Sequence, residues 1–174
     1  MFELGRIAGL RITAKPSAIV GSLLLWAALA AIGAALGLAP ATALAAGLAA
    51  TALHWLSSLA HHLGHSWAAR RTGYPMIGVR LWGVLGSSIY PRDEPALPAA
   101  VHMRRALGGP LASLLLTLVA AGLALALRPA GGAAWLVALF FFAENLLVYT
   151  GQVLLPLGFN DGATLLYWWR RRQH

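Results

Sequence analysis

Long apolar runs alternate along the chain with short stretches that are polar or contain glycine and proline. Four of these runs, at 17–38, 42–70, 99–127 and 133–155, have the length of a membrane-crossing helix. Such a helix needs about 20 residues to cross a hydrocarbon layer of about 30 Å. A shorter helix is predicted at 163–172. The pattern predicts an all-α membrane protein with four transmembrane helices.

Two stretches interrupt the helical pattern. Residues 71–98 contain repeated glycines and prolines, and their apolar segment 77–85 is rich in β-branched and aromatic residues. A short β-hairpin or sheet insertion is therefore predicted between the second and third spans. The alternation at 10–15 indicates another short strand. Proline and two glycines unwind residues 154–162, which predicts a broken fourth helix whose irregular part lines a cavity or is buried in protein.

Composition supports an integral membrane protein of one domain, spanning 1–174. Of the 174 residues, 59% are hydrophobic and 10% are charged, which is too apolar for an ordinary soluble domain. The net charge of +8 comes from basic residues that flank the apolar runs instead of forming one stripe. This distribution predicts contact with membrane lipid and no binding of nucleic acid.

The same basic residues predict the topology. They precede the first span, surround the second-to-third connection and end the chain, whereas Arg128 lies on the opposite side. The positive-inside rule then places both termini in the cytoplasm. We expect the protein in the plasma membrane of a prokaryote.

Two histidines in the second span have metal-ligand spacing. His61 and His65 are four residues apart, so a helix presents both imidazoles on one face. In the H-E-x-x-H motif of metalloproteases the second position is a glutamate that acts as general base, and here it is His62. His54 shares the histidine face, and we interpret it as a polar or water-facing contact.

Two carboxylates occur where charge is costly. Glu144 lies inside the fourth span, so it should face the bundle interior with a partner, such as a histidine, or line a water-filled pocket. Asp161 follows the break, and the predicted topology brings it to the same end of the bundle as His61 and His65. Cysteine is absent, so any metal must have nitrogen and oxygen ligands.

Three segments carry histidine, carboxylate and small residues in a recognisable order: His61-His62-Leu63-Gly64-His65 with 68–73, then 108–116, then 154–162. The first resembles H-E-L-G-H-x-x-x-A-R-x-x-G, the second A-G-P-x-x-N, and the third N-L-L-P-x-P-x-x-D-G. These are motifs of the site-2 protease family of intramembrane zinc metalloproteases, which the chain resembles over most of its length.

The resemblance implies the fold and a zinc site. It implies that Zn²⁺ is bound by His61, His65 and Asp161, with a fourth position left open as in catalytic zinc sites. Two residues depart from the family pattern. His62 replaces the general base, and Val153 stands where the family has an asparagine thought to hold substrate. Gln152, one residue earlier, is therefore our candidate substrate-binding residue.

The departures leave several hypotheses. One is a protease-like protein that keeps metal and fold and binds or regulates a transmembrane or extended partner segment, with weak or no proteolysis. The alternative is an active intramembrane metalloprotease whose base is His62 or Glu144. An edge strand of the insertion could hold an extended peptide, or the insertion could be a structural cover. A metal transporter is disfavoured, because four spans leave little room for alternating access.

Overall fold

A computed structural model describes residues 1–172. It contains four strands and five α-helices. In chain order these are β1 (Phe2–Ile7), β2 (Leu10–Ala14), α1 (Pro16–Ala35), α2 (Pro40–Arg71), β3 (Gly78–Trp82), β4 (Leu85–Ile89), α3 (Ala99–Leu127), α4 (Gly132–Glu144) and α5 (Asp161–Arg171).

Four helical segments are long and apolar enough to cross a membrane, namely α1, α2, α3 and Gly132–Leu154. Their large side chains point outward; Leu115, Leu118 and Leu125 of α3 are 67%, 64% and 69% exposed, while the buried positions are mostly alanine, glycine and serine. Small residues inside and large apolar residues outside are typical of helices that pack closely in lipid. The predicted four-span integral membrane fold is confirmed.

Helix α2 lies in the middle of the bundle and approaches its neighbours through glycines. A Cβ atom on Gly47 would lie 2.7 Å from the backbone nitrogen of Ala30 in α1, and one on Gly64 would clash with the carbonyl oxygen of Gly108 in α3. Helices can come this close only where no side chain intervenes. Because Gly64 adjoins His65, the close contact places the α3 backbone beside the histidines.

The strands form one sheet in the order β1-β2-β3-β4. Two antiparallel hairpins, β1–β2 and β3–β4, are joined by parallel pairing of β2 with β3. Buried side chains from β2 and β3 pack against the end of α2 in a small apolar core that includes Leu10, Val79 and Ala69. Sequence indicated β2 and the second hairpin. It missed β1, whose six residues are all exposed and give no buried alternation.

The tip of the β3–β4 hairpin is fixed between helices. The Gly83 N–H donates to Ser17 Oγ (3.2 Å), and Val84 O accepts from His54 Nε2 (2.9 Å). Gly21 of α1 has no side chain to block Gly83. These contacts hold β4 alongside α2, next to the predicted site.

The fourth span is broken, as predicted. Helix α4 continues as a π-helix (Asn145–Thr150) and a 3₁₀ turn (Gly151–Leu154), and an irregular segment then leads to α5. Asn160 fixes this segment: its Oδ1 accepts from the Ala163 N–H (3.0 Å) and its Nδ2 donates to Leu155 O (2.6 Å). A Cβ on Gly162 would lie 2.7 Å from Gln152 O, so glycine allows α5 to start against the 3₁₀ turn. This packing sets the position of Asp161.

Candidate metal centre

The structure brings the three predicted ligands together. His61 Nε2 lies 3.1 Å from Asp161 Oδ2, His65 Nε2 lies 3.4 Å from Asp161 Oδ1, and the two Nε2 atoms are 3.0 Å apart. In residues 1–172 this is the one group of three or more histidine and acidic side chains whose ligand atoms are within 4.8 Å of one another. Both imidazoles are buried, and the carboxylate is 15% exposed.

The opposite ring nitrogens are hydrogen-bonded to α3. His65 Nδ1 donates to the carbonyl oxygen of Arg105 (2.8 Å), and His61 Nδ1 lies 3.0 Å from Ser113 Oγ. In the tautomer that donates from Nδ1 to this carbonyl oxygen, His65 Nε2 carries the lone pair that a metal ion needs; in the other tautomer, Nδ1 accepts the Gly109 N–H (3.2 Å) and Nε2 carries the proton. Metal-ligating histidines almost always have such a partner on the second nitrogen.

This donor set fits a zinc ion. With Nδ1 bonded outward, the Nε2 lone pairs of His61 and His65 converge with a carboxylate, an arrangement that a cation between them would stabilise. Burial raises the pKa of Asp161, but hydrogen bonds donated by Nε2 of His61 and His65 in their other tautomer outweigh burial and hold that pKa below its ordinary value. Asp161 is therefore an anion at neutral pH. Binding of a metal by these residues stays a prediction.

Arg105 supports His65 through its backbone and is fixed through its side chain. Its guanidinium donates to Glu94 (2.5 and 3.0 Å) and to Tyr74 O (2.6 Å), and lies over the Tyr90 ring, 4.2 Å from its centroid. Burial raises the pKa of Tyr90 to about 12, although Arg105 acts in the opposite direction. Tyr90 is therefore a neutral phenol at physiological pH.

Sequence analysis missed the roles of Arg105 and Ser113. The signal for Ser113 was its position in the segment similar to A-G-P-x-x-N, where a polar residue faces the histidine helix. Nothing in the sequence indicated that the backbone carbonyl of Arg105 would be the partner of His65.

Gln152 lies at the site. Its Nε2 is 3.3 Å from Asp161 Oδ2 and 3.4 Å from His61 Nε2, because the 3₁₀ turn directs this side chain toward the ligands. The structure thus places the predicted substrate-binding residue beside the three ligand atoms. An amide there can donate a hydrogen bond to a carbonyl group of a bound peptide.

His62 faces the sheet. Its Nδ1 lies 3.1 Å from Ser88 Oγ of β4, and its ring packs against Gly86, where a Cβ would clash with it. The His62 ring centroid is 5.6 Å from that of His61 and 5.8 Å from that of His65. The side chain that replaces the general base is therefore near the centre but bonded to β4.

Glu144 belongs to a second polar cluster, two helical turns from His61. Its Oε1 is 2.5 Å from His54 Nδ1, and Tyr149 OH is 3.4 Å from the same nitrogen. The expectation of a histidine partner for Glu144 is confirmed, and His54 makes a polar contact as predicted. The structure does not bring Glu144 to the three ligand atoms. Its role as a base stays a prediction, and in this structure its carboxylate is paired with His54.

We expect Glu144→Ala to destabilise the protein by about 3 kcal/mol or more, since it leaves Nδ1 of the buried His54 without its carboxylate partner. Unfolding in mixed micelles with increasing denaturing detergent measures the change. Glu3→Ala is the matched control, because the Glu3–Arg11 pair is about half exposed and should contribute less than about 1 kcal/mol. Equal stability of the two variants would contradict the buried pair.

Gly109 gives a test of the centre that leaves the ligands in place. A Cβ there would lie 2.6 Å from His61 Nε2, so Gly109→Ala should displace the rings and weaken zinc binding at least about tenfold. Gly122→Ala on the same helix meets no atom within 4 Å and should bind zinc as the parent does. Competition with a chromophoric chelator measures both; equal affinities would contradict the observed packing.

The four spans, the inserted sheet, the broken fourth helix and the His-His-Asp cluster together define a site-2-protease-like membrane protein. The solved structure of the site-2 protease from Methanocaldococcus jannaschii matches this chain with a TM-score of 0.63 at 18% sequence identity. The match covers 99% of this chain and 73% of that protein. No protein-family model and no curated protein sequence matches the chain. The similarity establishes the site-2 protease fold.

Proposed function

We propose that this protein holds Zn²⁺ with His61, His65 and Asp161 and binds a transmembrane or extended segment of a partner protein, with weak or no proteolysis. The observation that carries the proposal is that the site has residues suited to binding zinc but, in the described part of the chain, no available carboxylate to act as general base. The ligand set suits zinc, but among residues 1–172 the carboxylates outside the cluster are paired or exposed elsewhere: Glu144 is bonded to His54, Glu94 to Arg105 and Glu3 to Arg11, and Asp93 is exposed in the loop before α3.

A bound zinc ion would polarise a carbonyl group and activate a water molecule. Hydrolysis of a peptide also needs a group that accepts a proton from the water and donates one to the leaving nitrogen. His62 has a suitable ordinary pKa for this task, but its Nδ1 is engaged by Ser88 and a protonated imidazole is disfavoured beside a dication. Loss of a positioned base typically costs about 10²–10⁴ in rate.

Partner binding is supported by the position of β4. This strand is at one edge of the sheet, its only strand partner in residues 1–172 is β3, and Ser88 connects it to His62. An extended segment can add to such an edge through main-chain hydrogen bonds. Gln152 would then donate to the segment near the metal. His62 in this function holds the receiving strand against α2.

The orientation follows the basic residues. We propose that both termini and the β3–β4 hairpin side of the bundle face the cytoplasm of a prokaryotic cell, so the metal centre lies near the cytoplasmic face. The turn around Arg128 lies at the opposite end of α3.

The alternative function is an active intramembrane metalloprotease that uses His62 as base. The closeness of the His62 ring to both ligand histidines favours it. This alternative requires His62 to leave Ser88 when substrate binds.

One experiment separates the two functions. The purified parent and His61→Ala are incubated with zinc and a generic transmembrane substrate that carries a photo-crosslinker, and cleavage and crosslinking are both measured. We expect the parent to bind zinc and crosslink the substrate without cleaving it above the level of His61→Ala. Cleavage by the parent that is lost in His61→Ala would overturn the proposal in favour of the protease.

A further inference from the structure

Helix α5 carries unpaired positive charge and aromatic rings at one end. Arg170, Arg171 and Arg172 are exposed and form no salt bridge with an aspartate or glutamate in the described residues 1–172. The Arg171 guanidinium carbon lies 3.8 Å from the centroid of the Tyr167 ring, and that of Arg172 lies 3.2 Å from the Trp169 ring. A stacked guanidinium keeps its in-plane N–H groups free, and those groups match the oxygens of a phosphate.

The surface next to these arginines is apolar and is exposed in the part of the chain that the structure describes, residues 1–172. Leu154 and Phe159, in the segment before α5, are 81% and 77% exposed, and Leu155 and Leu157 are exposed as well. A cleft of about 570 Å³ separates this segment from α5 and is lined by residues that include Arg170 and Arg171. Positive charge beside exposed leucine and phenylalanine complements a molecule with an anionic head and apolar chains.

We propose that α5 and the preceding segment form a binding site for an anionic phospholipid, whose phosphate contacts Arg170–Arg172 and whose chains cover Leu154–Phe159. Basic clusters with interfacial aromatic residues on an amphipathic helix are typical of contact with anionic lipid. The protein has only five acidic residues; within residues 1–172 four of them pair with basic groups elsewhere, and the fifth, Asp93, forms no salt bridge with these arginines.

The site has a consequence for the metal centre, which rests on the proposed zinc function. Asp161 is the first residue of α5, and Arg170 follows it by about 13 Å of helix rise. The C-terminal half of α5 is held by stacking of Trp168 on His102 of α3, with ring centroids 4.0 Å apart. Lipid bound to the arginines would restrain the helix that positions the third ligand. Anionic lipid should therefore strengthen zinc binding.

The test uses the full chain in nanodiscs of phosphatidylcholine with or without phosphatidylglycerol. The chain contains no cysteine, so Leu166→Cys introduces one fluorophore on α5, and brominated phosphatidylglycerol serves as quencher. We expect quenching to saturate at a low fraction of phosphatidylglycerol. The variant R170Q/R171Q/R172Q should need a fraction of phosphatidylglycerol that is higher by about tenfold or more to reach the same quenching. Each basic residue near the membrane surface contributes appreciably to the binding of anionic lipid.

The matched control is R6Q/R92Q/R104Q, which removes the same charge from exposed positions elsewhere and should behave as the parent. Equal shifts in both triple variants, or no preference for phosphatidylglycerol in the parent, would overturn the lipid site. Release of the lipid by inorganic phosphate would assign the site to a soluble anion and overturn it too.

Zinc affinity is measured in the same nanodiscs. Phosphatidylglycerol should raise the affinity of the parent about tenfold and leave that of R170Q/R171Q/R172Q unchanged. Equal parent affinity in both lipids would contradict the restraint of Asp161. Absence of zinc binding in every lipid would contradict the proposed function, while quenching would still decide the lipid site.

Discussion

Replacing Asp161 with alanine should abolish tight zinc binding. The variant leaves two imidazoles and removes the anionic ligand, so we expect the affinity to fall more than about 100-fold, beyond what changes to ligand-supporting residues usually cause. Titration against a chromophoric chelator in detergent measures the affinity. The physical reason is that Asp161 alone supplies negative charge to the site.

Asp93→Ala is the control for this prediction. Asp93 is exposed in the loop before α3. Its replacement by alanine removes the same charge from the chain without changing a residue of the candidate metal centre. Its zinc affinity should equal that of the parent. If Asp161→Ala bound zinc as tightly as Asp93→Ala, the carboxylate would not be a ligand.

Replacing His62 with glutamate should produce proteolysis that the parent lacks. Glutamate replaces the imidazole that contacts Ser88 and restores a carboxylate beside His61 and His65, so cleavage of a transmembrane substrate should rise by about 10²–10⁴. Zinc affinity should not change, since His62 is not among the three ligand residues. Product formation is followed by gel or mass spectrometry with zinc-loaded protein.

His62→Gln separates the effect of the carboxylate from that of releasing β4. Glutamine has the length of glutamate and cannot accept a proton at neutral pH, so this variant should stay inactive. Activity in His62→Gln equal to that of His62→Glu would show that release of Ser88, and not a restored base, limits the parent.

The membrane spans and the clustered residues His61, His65 and Asp161 were accessible to sequence analysis, for physical reasons. A bilayer requires about 20 apolar residues per helix, so the hydropathy pattern of the sequence predicts the four spans. The pairing of His61 with His65 follows from helical spacing, and Asp161 was predicted from its place in a segment that resembles a family motif and from the topology. The resemblance to a known family added the inference that these three residues bind one zinc ion, because their motifs occur in the same order along the chain.

The supporting contacts were not accessible, because they depend on backbone positions. The partner of His65 is a carbonyl group, which any residue at position 105 would provide, and the approach of α3 depends on the absence of a side chain at Gly64. Strand β1 was missed because it is stabilised by pairing with β2 and buries none of its residues. Glu144 was predicted to have a partner, but sequence could not choose His54 over the site histidines.

The most direct test of the central claim is an anomalous difference map at the zinc edge from crystals of the parent, with elemental analysis of the same sample. We expect one zinc per chain and a single peak between His61 Nε2, His65 Nε2 and the Asp161 carboxylate, at bonding distance from all three. Zinc-loaded crystals with no peak there, or a peak bound by other side chains, would contradict the account.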